Sequence, residues 1–114
     1  MANRWNAHDL DGFLDAYWKS PELLIVVDGE QMRGWADFST TYRRGYSNDK
    51  VADMGTLLPE RIQIQMVTPD VAVALDWWTL QQPRRKVLGT TTATLRKFAE
   101  GWKIVVCHTS FVEP

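Results

Sequence analysis

From Asp9 to Lys19 the apolar residues Leu10, Phe13, Leu14, Tyr17 and Trp18 recur at i, i+3, i+4, i+7 and i+8, one face of a helix. Asp9 is placed to cap that helix, and Ser20-Pro21 ends it. Leu23 to Val27 is a short apolar run rich in β-branched residues, closed by Asp28-Gly29, and reads as a strand and a turn. A second helix is predicted over Met32 to Tyr46, with Trp35, Phe38, Tyr42 and Tyr46 at helical spacing. Ser47 to Gly55 is polar and irregular, so a loop is expected there.

The second half carries strand signals. Arg61 to Thr68 alternates Ile62, Ile64 and Met66 with Gln63 and Gln65, and Pro69-Asp70 makes a turn. Val71 to Gln81 is a long apolar strand, Pro83 to Gly89 a turn region, and Thr90 to Phe98 a Thr-rich strand. Ala99-Glu100-Gly101 is a tight turn before a last strand, Trp102 to Val112. Helices followed by an antiparallel meander predict an α+β fold, with residues 1–114 as one domain. Val71, Val73, Leu75 and Trp77 fall on one side of their strand, and Ala72, Ala74, Asp76, Trp78 and Leu80 on the other. A sheet apolar on both faces has to be covered on both. Two helices cover one face, so a partner subunit is expected on the other, most simply in a homodimer.

Composition narrows the class. Thirteen basic residues against fourteen acidic ones give a net charge of −1, without the basic footprint of a nucleic-acid binder. The one basic run, Arg84-Arg85-Lys86, reads as a solvated loop, with a phosphate contact as the alternative. The single cysteine, Cys107, allows no disulfide within the chain, and its neighbour His108 points to the opposite face. The only two histidines, His8 and His108, do not make a metal site, and no Gly-rich phosphate loop is present, so no cofactor and no metal are expected. The start shows no signal peptide, and the longest apolar run is far below the ~20 residues of a membrane helix. A cytoplasmic protein with neither a nucleic-acid nor a membrane partner is the expectation. Six Trp exceed what a small core needs.

Four stretches carry a resemblance to a known superfamily: Trp5 to Trp18, Gly34-Trp35 with Tyr42 to Tyr46, Met54-Gly55-Thr56-Leu57, and Gly101 to Ser110. Ala72 to Leu80 fits between them as a long central strand. The pattern resembles the nuclear transport factor 2-like superfamily, which includes SnoaL-like proteins and ketosteroid isomerases. It looks closest to the branch called domain-of-unknown-function family 4440. The resemblance implies a cone-shaped, cystatin-like roll: a curved antiparallel sheet wrapped around N-terminal helices, with a pocket at the wide end. It also implies dimers through the convex sheet face, here Val73, Leu75 and Trp77. Two departures stand out. Only four residues precede Trp5, where the family usually has a fuller first helix, so one pocket wall is expected to be short or supplied by the partner, and Asp76-Trp77 stand where the family usually has Gly and often Arg.

Candidate chemistry follows from both lines. Strict alternation puts Trp102, Ile104, Val106, His108 and Ser110 on one face of the last strand, and by resemblance His108 and Ser110 line the pocket. Asp76 interrupts an apolar strand, where a carboxylate is costly unless paired or partly wet. If its face is the concave one, it joins His108 as a catalytic acid–base pair. The alternatives are a histidine satisfied by a hydrogen bond and an aspartate at a sheet edge or paired with Arg43 or Arg96. Trp18, Trp35, Tyr17, Tyr42 and Trp78 complete the expected ligand-binding wall, with core packing as the competing role. Asp28 lies nearer the position of a ketosteroid isomerase base, yet reads more simply as a turn residue. Two functions compete: a pocket protein for a moderately apolar small molecule, isomerase- or lyase-like by acid–base chemistry, and a non-catalytic homodimerisation or association module.

Overall fold

The computed structural model describes residues 2–46 and 53–112. Most of the predicted loop at Ser47 to Gly55 lies outside the described residues. The elements run α1 (Ala2–Asn6), α2 (Leu10–Leu14), β1 (Leu24–Val27), β2 (Glu30–Arg33), α3 (Trp35–Tyr46), β3 (Thr56–Thr68), β4 (Val71–Gln81), β5 (Lys86–Phe98) and β6 (Gly101–Val112). The fold is α+β: one six-stranded sheet in the order β2-β1-β6-β5-β4-β3, with the helices packed on one face.

The meander β3 to β6 is antiparallel throughout, as expected. The first half departs from expectation in three places. Asp9 does cap α2, its carboxylate accepting from Gly12 N at 3.0 Å. The helix nevertheless ends at Leu14 rather than Lys19, because β6 offers the backbone a competing partner. Ile104 N donates to Ala16 O and Trp18 N donates to Ile104 O, each at 2.9 Å. Glu30 to Arg33, the last two of which fall within the helix predicted over Met32 to Tyr46, instead form β2. Asp28 and Gly29 both have positive φ, 48° and 90°. That is the two-residue hairpin geometry an Asp-Gly pair favours, and it folds β2 back on β1. Gly34, with φ 86°, turns the chain into α3 at Trp35. Finally, β1 pairs in parallel with β6, so the sheet is mixed rather than purely antiparallel.

The core lies between the helices and the inner face of the sheet. Leu14, Leu23, Ile25, Phe38 and Met54 are its most fully enclosed side chains, packed with Phe13, Tyr17, Ala93, Ile104 and Cys107. The short N-terminal segment is tied down firmly. Trp5 Nε1 donates to Met54 O at 2.7 Å, and Asn6 exchanges two hydrogen bonds with the backbone of Leu57.

Beyond Leu57 the edge strand β3 is exposed on both faces. Leu14→Ala is therefore expected to cost about 2–5 kcal/mol, the range for a fully enclosed leucine. Ile64→Ala, at a side chain 68% exposed, should stay within about 0.5 kcal/mol of the parent. Urea unfolding of the two variants measures the contrast.

Candidate functional site

The inner face of the sheet and the helices enclose a cavity of about 150 Å³. Trp5, Phe13, Tyr17, Tyr42, Trp78 and Phe111 line it with rings, and Asp76, Thr91, Thr109 and Cys107 supply polar atoms. Strand register explains why these side chains converge. Asp76 pairs with Thr91 and Trp78 with Gly89 across β4 and β5, and Thr91 pairs with Thr109 across β5 and β6. Directly opposed residues share a face. Gly89 gives the Trp78 ring its place, since a Cβ there would lie 2.3 Å from Trp78 Cζ2. The Trp78 indole N–H donates to Thr91 Oγ1 at 2.9 Å, and Thr91 Oγ1 and Thr109 Oγ1 are themselves 2.9 Å apart. Trp78 also meets Phe111 edge-on, with centroids 6.2 Å apart.

Asp76 stands beside this chain of hydroxyls. Its Oδ1 is buried and has no hydrogen-bond partner among the described residues. Neither arginine considered as its partner serves: Arg43 pairs with Asp11, and the Arg96 guanidinium lies 5.1 Å from the Phe98 ring centroid. Desolvation raises the Asp76 pKa above the ordinary carboxyl value. Burial likewise pushes the Cys107 thiol up to about 11, so it is a protonated thiol at neutral pH and a poor nucleophile. The Tyr17 and Tyr42 phenols are raised for the same reason and stay neutral.

The residues expected from the sequence divide into two groups. Asp76, Tyr17, Tyr42 and Trp78 line the cavity. His108 and Ser110 do not: both are exposed and lie on the outer face, opposed in β5 by Thr92 and Thr90. The reason is a bulge. Leu95 pairs with Ile104 but Thr94 with Val106, so Val105 is an extra residue and the alternation changes sides. Ile104 and Val105 are both buried in succession, and thereafter Cys107, Thr109 and Phe111 face inward. The expected Asp76–His108 pair is therefore split across the sheet. Trp18 and Trp35 also leave the wall. Trp18 stacks on Phe98 at 5.9 Å, and Trp35 donates from Nε1 to Leu14 O at 3.4 Å beneath the Lys19 ammonium. Trp102, expected under the last strand, is 39% exposed.

Thr91, Thr109 and Phe111 are lining residues that the pattern does not single out, and Arg85, from the run that reads as a solvated loop, also lines the cavity. Thr91 could have been found by extending the Asp76 face across the hairpin. Thr109 and Phe111 could not, because the apolar run Ile104 to Cys107 gives no sign of the bulge. Asp28 is a hairpin residue, as its sequence context indicates. Among the described residues no three His, Cys, Asp or Glu side chains are placed to hold a metal ion, and no helix is long and apolar enough to cross a membrane.

No family model matches the chain, and no curated protein matches it significantly. Solved structures do. A nuclear transport factor 2-like protein of unknown function from Shewanella oneidensis MR-1 superposes with a TM-score of 0.87 at 25% identity, over 96% of this chain and 88% of that one. A cystatin-like fold protein from Burkholderia xenovorans LB400 gives 0.76 at 19% identity, over 98% and 83%. A candidate ketosteroid isomerase from Shewanella frigidimarina NCIMB 400 gives 0.73 at 20% identity, over 95% and 86%. The chain thus carries the cone-shaped, cystatin-like fold of the nuclear transport factor 2-like superfamily.

The raised Asp76 pKa has a testable sign. A carboxyl whose folded pKa exceeds its unfolded value favours folding most at low pH, and that contribution is lost as pH rises through the folded pKa. Asp76→Asn is expected to be more stable than the parent at pH 7. The gap should close as pH falls towards the ordinary carboxyl range. Thermal unfolding of both proteins between pH 3 and 7 measures it; a gap that widens on acidification would contradict the desolvated carboxyl.

Proposed function

We propose that this protein binds a small, moderately apolar molecule in the aromatic cavity and that Asp76 hydrogen-bonds to it and exchanges a proton with it. The observation that carries this reading is the buried, unpartnered Oδ1 of Asp76 in a ring-lined cavity. Concave apolar pockets holding a few polar groups are the usual form of a ligand site. A neutral carboxyl there donates to a carbonyl or hydroxyl oxygen, and an ionised one takes a proton from an acidified C–H. The chemistry is isomerase- or lyase-like proton transfer with Asp76 as the titrating group; His108 has no part in it. The cavity has about half the smallest volume usual for a drug-sized ligand, roughly 300 Å³. That favours one ring over the fused rings suggested by the neighbour named as a candidate ketosteroid isomerase.

Cyclohexanone in D2O gives a direct test, read by NMR. Saturable binding and faster exchange of its α-protons for deuterium are expected. Asp76→Asn should remove the acceleration, and His108→Ala should leave it unchanged. Equal exchange rates for the parent and Asp76→Asn would show that Asp76 is not the titrating group. Leu80→Trp, which fills the cavity, should abolish binding; retained binding would place the ligand elsewhere.

We further propose a homodimer through the outer face of β4, β5 and β6. Val73, Leu75 and Trp77 are half-buried within one chain and face away from the cavity. Thr94, Thr92 and Thr90 lie opposite them in register, followed by Val106, His108 and Ser110. Val106 is 41% exposed. A purely associative module would not need an unfilled cavity, so the dimer accompanies the ligand site rather than replacing it. Leu75→Glu is expected to shift the sedimenting species from dimer to monomer while the folded circular dichroism is kept. A parent protein that sediments as a monomer at high micromolar concentration would refute the dimer.

A further inference from the structure

At the cavity mouth the β4–β5 loop brings one cation against an otherwise apolar and hydroxylic wall. Arg85 is exposed, and among the described residues it is the only basic one lining the cavity. Its position is held from several sides. Arg85 Nε donates to Gln82 Oε1 at 3.2 Å, Gln82 N donates to Arg85 O at 2.8 Å, and Gln82 Nε2 donates to the Tyr46 hydroxyl at 3.3 Å. With Nε engaged, the two terminal nitrogens remain for a ligand. Among the described residues no carboxylate forms an ion pair with Arg85. Asp76 lines the same cavity, and its unpartnered Oδ1 suits a neutral oxygen of the ligand rather than its carboxylate.

We infer that the ligand is a single-ring carboxylic acid, its ring among Trp5, Phe13 and Trp78, its carboxylate on Arg85 at the mouth, and any carbonyl or hydroxyl oxygen directed to Asp76. The inference rests on the reading of the cavity as a ligand site and adds the charge and polarity of what enters. Three observations set the class. A cavity of about 150 Å³ suits one ring, and an apolar cavity of that size holds benzene. A guanidinium fork matches a planar carboxylate in charge and geometry. The outer cleft that shares Tyr46, Gln82 and Arg85 is also lined by Arg84 and Asp53, which leaves it one net positive charge and suits a singly charged carboxylate better than a phosphate carrying nearly two charges. The basic run that looks like a solvated loop in the sequence thereby gains a use.

The test titrates the full chain with phenylacetate and 3-phenylpropanoate, and with the corresponding neutral amides, by calorimetry at pH 7. The acids should bind at least tenfold more tightly than their amides, and added salt should weaken the acids alone. Arg85→Gln, at an exposed loop position, should erase the preference for the acids and keep the parent melting temperature. Equal affinity of acid and amide in the parent, or a preference that survives in Arg85→Gln, overturns the carboxylate inference while leaving the ligand site standing. Failure of acids and amides alike overturns both.

Discussion

Val105 has no partner of its own in β5: Leu95 pairs with Ile104, and the next residue, Thr94, pairs with Val106. Much of the site depends on that extra residue. It buries Ile104 and Val105 in succession and exchanges the two faces of the strand beyond them. Cys107, Thr109 and Phe111 thereby join Asp76, Trp78 and Thr91 around the cavity, and His108 and Ser110 pass to the outer face. The chain leaving α2 also docks on Ile104, through the bonds from Ile104 N to Ala16 O and from Trp18 N to Ile104 O. Bulges bend a strand and increase its local twist. This one lies where the sheet meets the segment leaving α2, so the inner surface and that segment are fixed at the same place.

What the sequence makes legible follows from how local each signal is. The Asp9 cap, the Asp28-Gly29 turn and the long strands from Val71 to Val112 depend on neighbouring residues and can be read from them. The truncation of the first helix cannot. Leu10, Phe13, Leu14, Tyr17 and Trp18 have faultless helical spacing, but the backbone after Leu14 finds partners in a strand nearly ninety residues away in sequence. The β2 strand is short and mostly exposed, so it lacks the apolar alternation by which strands are recognised. The side of His108 is the most consequential miss. Alternation is a reliable guide only while every residue has one partner, and Ile104-Val105-Val106-Cys107 contains no polar residue to reveal the change of phase. Asp76 was legible for the opposite reason. It precedes the bulge in the chain, and a lone carboxylate in an apolar strand stands out against its neighbours.

The six tryptophans show the same division of labour. Trp5 and Trp78 form cavity wall, and each indole N–H is engaged, one with Met54 O and the other with Thr91 Oγ1. A wall made of rings with satisfied N–H groups is stiff and apolar yet leaves no unmet donor. Trp5 lies edge-on to Phe13 at 4.9 Å and to Tyr46 at 5.4 Å, so α1 contributes a ring to one side of the cavity. Trp18 and Trp35 fasten the chain around the core, Trp102 is exposed near the start of β6, and Trp77 lies on the outer face with the Arg61 guanidinium 3.9 Å from its ring centroid. The tryptophan excess therefore serves three surfaces, of which the cavity is one.

The position of Asp76 argues for use rather than support. A structural carboxylate in a sheet is normally stabilised by a cation or by several donors. The hydroxyl of Thr91, opposite Asp76 in register, already bonds with Trp78 and Thr109. The fold thus satisfies the hydroxyls and the indole in this wall and leaves one carboxylate oxygen unmet. An asparagine of the same shape would avoid the penalty of an ionised group there at neutral pH. Unmet polarity that weakens the folded state is characteristic of functional positions, where a partner arrives with the ligand. Arg85 complements it from the exposed end of the cavity. One group is half-buried with an unpartnered oxygen and a raised pKa, and the other is wet and permanently charged. Together they give the cavity a direction, apolar and hydrogen-bonding within and cationic at the entrance, which a space-filling core would have no reason to possess.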